Sequence, residues 1–334
     1  MYIVDSYSAA VLFCIITMIG WGSWINTLKL TPKNWSFSLY YWDYSIGLVI
    51  TSLLFGITLG SNGENGRDFI TDLTLANPEA LLAAFLGGVI FNLSNLLIVA
   101  ATAIAGMAVA FPIAVGLALV IGVVVNYMAD PLGNPYLLFL GLLLVVLAIL
   151  FNAKAYTKLP KTSHGNKKKG IIISILSGIL MGFFYRFVAD AMISDFKAPE
   201  IGLLTPYTAM FIFTLGIFIS NFVFNSWFMY KPLVGEPVSY KQYFSTASLK
   251  THIMGILGGL IWCTAMEFSL IASEKAGYAI SYGLGQGATM ISAAWGVFIW
   301  KEFATAKKKT APWLTAMFGF FIIGLILIIL ARII

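Results

Sequence analysis

GGVIFNLSNLLIVAATAIAG at residues 87–106 and GGLIWCTAMEFSLIASEKAG at residues 258–277 are two copies of one segment. The offset is 171 residues, about half of the chain, and no gap is needed to align them. The match continues with Ala108 on Ala279, Phe111 on Tyr282 and Gly116 on Gly287. Both copies are apolar enough to lie in a bilayer. A membrane protein with two related halves reads as a transporter, because pseudo-symmetric halves can rock about a central site.

Composition agrees. The 334 residues are 60% hydrophobic and 10% charged, with mean hydropathy +0.90, so a soluble domain of this length would lack the charge to cover its surface. Apolar stretches recur at lengths near the ~20 residues a helix needs to cross about 30 Å of hydrocarbon. They do not alternate in the roughly ten-residue segments of a transmembrane barrel. The expected fold is an all-α membrane protein of ten transmembrane helices, over about 8–28, 37–60, 78–103, 107–128, 135–154, 170–192, 202–230, 251–273, 278–300 and 311–333. Five spans per half is an odd number, so the second half enters from the opposite side and the repeats are inverted. The expected organisation is a first five-helix repeat at 1–154, a basic cytoplasmic linker at 155–169 and a second repeat at 170–334. Inverted repeats place a solute site near the bilayer midplane, between the halves.

Charge sets the orientation. With the N-terminus outside, the inner loops hold fifteen lysines, among them Lys29, Lys33, Lys154, Lys167, Lys168, Lys169, Lys307, Lys308 and Lys309. The outer side holds Arg67, Lys197, Lys275 and Arg332. Positive residues stay inside, so both termini are expected outside, in a multi-pass protein of a cell membrane (a bacterial inner membrane or a plasma membrane). The formal net charge of +6 belongs with lipid headgroups and topology rather than with nucleic acid. MYIVDSYSAA at the N-terminus has no basic region and carries Asp5, so the first apolar stretch is expected to be a retained helix. Trp35, Trp42, Trp227, Trp300 and Trp313 fall near span ends and read as an interfacial belt.

Charges inside the spans need a reason, since each costs about 2.5–3.5 kcal/mol on insertion scales. Asp43, in YYWDY of span two, reads as a protonatable or solute-accepting group, with a structural pair to Lys29 as the alternative. Glu267, deep in span eight, reads either as a coupling acid or as a permanently neutral carboxyl. Arg186 and Asp190, four apart on span six, read as a structural pair. Asn92, Asn95 and Gln286 can donate and accept at once, as a polar uncharged ligand requires. They can equally tie helices together. Trp21, Trp24, Trp262 and Tyr282 offer aromatic faces for a planar ligand, or simple packing. Pro112 and the run Gly283, Gly285, Gly287 sit at matching depths of spans four and nine, where broken helices mark transporter sites. Nothing points to an enzyme, a metal or a cofactor. His164 and His252 stand apart, Cys14 and Cys263 lie in apolar segments, and GLGQGA at 283–288 has no strand before it.

Several motifs together resemble the drug/metabolite transporter superfamily and, within it, the ureide permeases. They are GSW at 22–24, YYWDYS at 40–45, GGVIFNLSNLL at 87–97, VVNYMAD at 124–130, YTAMFIF at 207–213 and YKPLVGEPVSYKQY at 230–243. EFSLIASEKAGYA at 267–279 and WGVFIWKEF at 295–303 continue the resemblance over nearly the whole chain. It implies secondary active transport, often proton-coupled, of allantoin-like ureides, uracil and related heterocycles. Asp43 and Asn95 match the family's aspartate and asparagine, whereas Glu267 stands where the family pattern has glutamine. Plant members carry a nucleotide-loop-like sequence in the central loop; SHGNKKKG has no GxxxxGK[ST], so no ATP binding is expected. Sister branches carry rhamnose, glucose or ribose. The expected partners are a small-molecule solute, a coupling proton and membrane lipid. The competing readings are a sugar symporter, an exporter of amphipathic compounds, and a membrane sensor or scaffold.

Overall fold

The computed structural model describes residues 1–159 and 166–334; Lys161 and His164 of the expected linker lie outside the described residues. Among the described residues there are fourteen α-helices and no strand beyond one isolated bridge from Met192 to Leu204. The helices are α1 (Tyr7–Ser23), α2 (Phe37–Ile57), α3 (Phe69–Leu75), α4 (Pro78–Ala105), α5 (Met107–Ala129), α6 (Pro135–Tyr156) and α7 (Lys167–Ala191). They continue with α8 (Pro206–Asn221), α9 (Phe224–Tyr230), α10 (Tyr240–Thr246), α11 (Leu249–Ala276), α12 (Tyr278–Gly285), α13 (Ala288–Ala294) and α14 (Lys307–Leu330).

Eight helical stretches are long and apolar enough to cross a membrane by length and composition. The two remaining expected spans fall short for different reasons. Helix α2 is 21 residues long, but its first turns carry Tyr40, Tyr41, Trp42, Asp43 and Tyr44, which dilute its hydropathy. The ninth expected span is broken, because α12 stops at Gly285 and α13 restarts at Ala288. The seventh is also interrupted, between Asn221 and Phe224.

The 171-residue offset reappears in the helix limits. It carries α3 onto α10, α4 onto α11, and the first residue of α5 onto that of α12. The joint between the long helix and the next repeats as well: Gly106 has φ 84° and ψ 154°, Gly277 φ 84° and ψ 148°. Only glycine occupies that region without strain, which is why both copies of the segment end in it.

The chain forms two compact units, Met1–Asn92 with Phe184–Lys275, and Leu93–Phe183 with Ala276–Ile334. In the first unit α2 lies close against α11. A Cβ at Gly47 would collide with the Ile256 carbonyl, and one at Gly259 with the Tyr44 carbonyl. Helices α4 and α8 meet in the same way, through Gly88 and Gly216. Arg186 and Asp190 form the expected pair along α7. In the second unit α6 packs on α14 through Gly141 and Gly324, where an added Cβ would sit 2.7 or 2.8 Å from the opposing carbonyl. Gly122 of α5 leaves room for the Tyr282 ring of α12.

Candidate functional site

Helix α11 is a ruler for the first unit. Its 28 residues span about 42 Å, and its midpoint falls at Trp262 and Cys263. His252 lies about 15 Å from that midpoint towards the N-terminal end, and Glu267 about 7 Å beyond it on the other side. The close approach at Gly255, whose Cβ would meet that of Asp43, sets Asp43 level with the start of α11. Asp43 therefore lies level with a point about 11 Å from the α11 midpoint, towards its N-terminal end. The two expected coupling acids are not neighbours; roughly 18 Å of helix separates their levels.

Asp43 is buried, and one of its oxygens does all the bonding. Oδ1 accepts from the Tyr243 hydroxyl of α10 at 2.6 Å and meets His252 Nδ1 of α11 at 2.8 Å. Oδ2 is buried without a hydrogen-bond partner among the described residues. The ring of Trp35 stands edge-on to His252 at 5.8 Å and lies against Tyr243 at 6.1 Å. Tyr243 lies outside the spans. Burial first, then the Asp43 carboxylate, holds its hydroxyl above the ordinary tyrosine range, so it donates as a neutral O–H. A quarter of the His252 side chain remains exposed, against 2% for Asp43. A cleft of about 180 Å³ lined by Trp35, Leu39, Gln242 and Thr251 shares Trp35 with this cluster.

The opposite end of the same unit carries a second carboxylate of contrasting build. Asp72 of α3 takes the Arg67 guanidinium on one oxygen at 2.7 Å, and the backbone N–H and hydroxyl of Thr205 on the other at 2.8 and 2.9 Å. Arg67 also donates to the carbonyls of Glu200 and Leu203. Both oxygens of Asp72 are satisfied.

At mid-height, Trp21 and Trp262 stack with centroids 5.9 Å apart and planes 16° apart. Phe91 and Phe213 close on Trp262 from 4.5 and 6.1 Å. A planar ligand between two rings needs two contact distances, about 7 Å in all, so the two tryptophans here pack on each other. Trp24 packs on Tyr44 at 4.6 Å. Asn92 donates to Ile217 O and Ser220 Oγ at 3.2 and 2.7 Å, which ties α4 to α8. Glu267 is fully buried, and neither carboxyl oxygen has a hydrogen-bond partner among the described residues.

The remaining candidates belong to the second unit. Asn95 is buried. The Tyr282 hydroxyl donates to the Ala118 and Met181 carbonyls at 3.2 Å each, a packing use. Gln286 stands at the break between α12 and α13. Within the first unit the structure thus brings Trp21 to Trp262 and engages Asn92 with α8.

Comparison with known proteins settles the family. The model of the family described as Ureide permease matches residues 40–169 and 155–331. The chain belongs to the ureide permease family. Ureide permease 1 of Arabidopsis thaliana is 23% identical over 97% of this chain and 97% of its own length. Probable ureide permease A3 of Vigna unguiculata is 24% identical over 92% and 99%. A solved crystal structure of a protein at 14% identity shares the fold, with TM-score 0.58 over 98% of this chain and 99% of that one. With the apolar helices, membership makes this a multi-pass membrane transporter rather than an enzyme.

Two residues of the Asp43 cluster are not marked as functional in the sequence. His252 stands apart from any other ligand-type residue there. Tyr243 sat inside the family motif YKPLVGEPVSYKQY, which was the available signal, but nothing in its spacing connected it to a residue 200 positions earlier.

Proposed function

We propose that the chain is a secondary active transporter that imports a small polar uncharged solute, such as allantoin, a nucleobase or a related heterocycle, with a proton. The observation that carries this reading is the near full-length similarity to plant ureide permeases. Ten spans in two inverted five-helix repeats, 1–154 and 170–334, support alternating access, with both termini outside and the basic linker 155–169 in the cytoplasm. The shared helix limits at an offset of 171 residues favour that arrangement. Asp43 and Glu267 are the coupling candidates. Trp21, Trp24, Asn92, Asn95, Trp262, Tyr282 and Gln286 are the solute candidates. Separation of the Trp21 and Trp262 rings would open a slot for a planar solute.

The test is uptake of radiolabelled allantoin into vesicles containing the purified protein, under an imposed inward proton gradient. Uptake that rises with the gradient and is competed by uracil but not by monosaccharides supports the proposal. Competition by rhamnose, glucose or ribose alone moves the cargo to sugars. Asp43→Asn is expected to abolish gradient-driven uptake; full retention removes Asp43 from the coupling role and leaves Glu267→Gln as the variant to measure.

A further inference from the structure

Building on the proposed proton coupling at Asp43, we propose that His252 is the relay through which Asp43 exchanges its proton with the aqueous phase at the start of α2 and α11, the cytoplasmic side in the proposed topology, where an imported proton is released. Three observations in the first unit carry it. The Asp43 carboxylate is sealed, at 2% side-chain exposure, while the imidazole bonded to it is 25% exposed. The imidazole is therefore open to the surroundings and the acid is not. The imidazole presents Nδ1 to Asp43 Oδ1 at 2.8 Å, a proton-transfer distance. The buried Oδ2 has no hydrogen-bond partner among the described residues, so the carboxylate is held by one oxygen alone. Asp72, by contrast, has both oxygens occupied and a guanidinium that does not deprotonate.

The transfer balances as follows. Hydronium gives a proton to Nε2 of the neutral imidazole, which then carries one proton on each nitrogen. The Nδ1 proton passes to Asp43 Oδ1, leaving a neutral carboxylic acid and a neutral imidazole in the other tautomer. Release runs in reverse. The other groups facing Asp43 are the Tyr243 hydroxyl from α10, which donates to the same oxygen, and Tyr40 one turn earlier on α2, within electrostatic reach. Both remain neutral through the transfer. Tyr243 acts as a positioning residue: its hydrogen bond and its ring, 4.9 Å from the imidazole, fix the geometry of the pair.

The experiment compares wild type, His252→Ala and His252→Gln in vesicles, with radiolabelled allantoin as probe. Two rates are read: uptake driven by a proton gradient, and exchange of external for internal allantoin at equal pH. For both variants gradient-driven uptake is expected to fall at least tenfold while exchange falls less than threefold. Added imidazole should restore part of the gradient-driven rate to His252→Ala, whose side chain leaves a vacancy. Equal losses in the two rates, or no response to imidazole, overturn the relay and return His252 to a packing role. Wild-type allantoin uptake that ignores the proton gradient overturns the coupling reading and the relay with it. Wild-type vesicles that move no allantoin in either mode overturn the cargo instead. In that case proton influx, read with a pH-sensitive dye inside the vesicles on adding uracil or rhamnose, gives the same comparison between wild type and variants.

Discussion

The two short helices α3 and α10 occupy equivalent places in the repeat, and Asp72 and Tyr243 are equivalent residues on them, 171 positions apart. Each helix latches onto the beginning of a long helix from the other half of the sequence. Asp72 holds Thr205 ahead of α8, and Tyr243 holds Asp43 of α2. The frame is duplicated and the chemistry is not. The α3 latch is an arginine–aspartate pair with every oxygen used. The α10 latch is built from histidine and tyrosine on a carboxylate with an oxygen to spare. At one end of the unit the carboxylate is held on both oxygens by groups that include a guanidinium; at the other it is held on one oxygen by a hydroxyl and an imidazole.

The strongest way to break this comparison is at the guanidinium end. Arg67→Ala leaves Asp72 buried without its counter-charge, and breaking one side of such a pair costs about 3–5 kcal/mol. A melt of the detergent-purified protein should show a large drop; melting like the wild type would mean that the α3 latch is not structural. Next come the joints. Gly106→Ala and Gly277→Ala each force a side chain into a conformation costing about 1–3 kcal/mol, and the two losses should be alike. Clearly unequal losses would show that the repeat does not share its joint. Tyr243→Phe should cost about 1.5 kcal/mol, as a hydrogen bond to a charged group, and should speed amide exchange in α10 but not in α3. The smallest effect concerns the caps. Hydrogen bonds from the Thr71 side chain and backbone hold the Asp68 carboxyl below the ordinary carboxylate range. A depressed acid contributes stability above its unfolded value, about 3.9 for aspartate, and loses it as pH falls through the folded value. Asp68→Asn should therefore slightly flatten the acid side of the stability profile. Ser239, the equivalent cap on α10, does not titrate there, so Ser239→Asn should leave that side unchanged.

The long helices were legible because their limits are written in residues that act locally. Pro78, Gly106, Pro135 and Gly277 stop or start helices by backbone geometry alone, and the glycine run at 283–287 announced the break between α12 and α13. The interruption at Phe222 and Val223 was not legible, since neither residue breaks a helix and the apolar run continues across it. Helices α3 and α10, at seven residues, are too short to show a period. Asp43 stood out as a charge in an apolar run. Its partners did not, because a contact between α2, α10 and α11 depends on how Gly47, Gly255 and Gly259 let the helices close, and that packing has no signature in spacing.

The Trp21–Trp262 stack has an optical consequence. Two indoles lying nearly parallel at 5.9 Å couple their electronic transitions, so the pair should give a split near-ultraviolet circular dichroism band that neither ring gives alone. A solute that parts the rings would erase the splitting without any label on the protein. Trp21→Phe and Trp262→Phe should each remove the same band, making the stack its own reporter of occupancy.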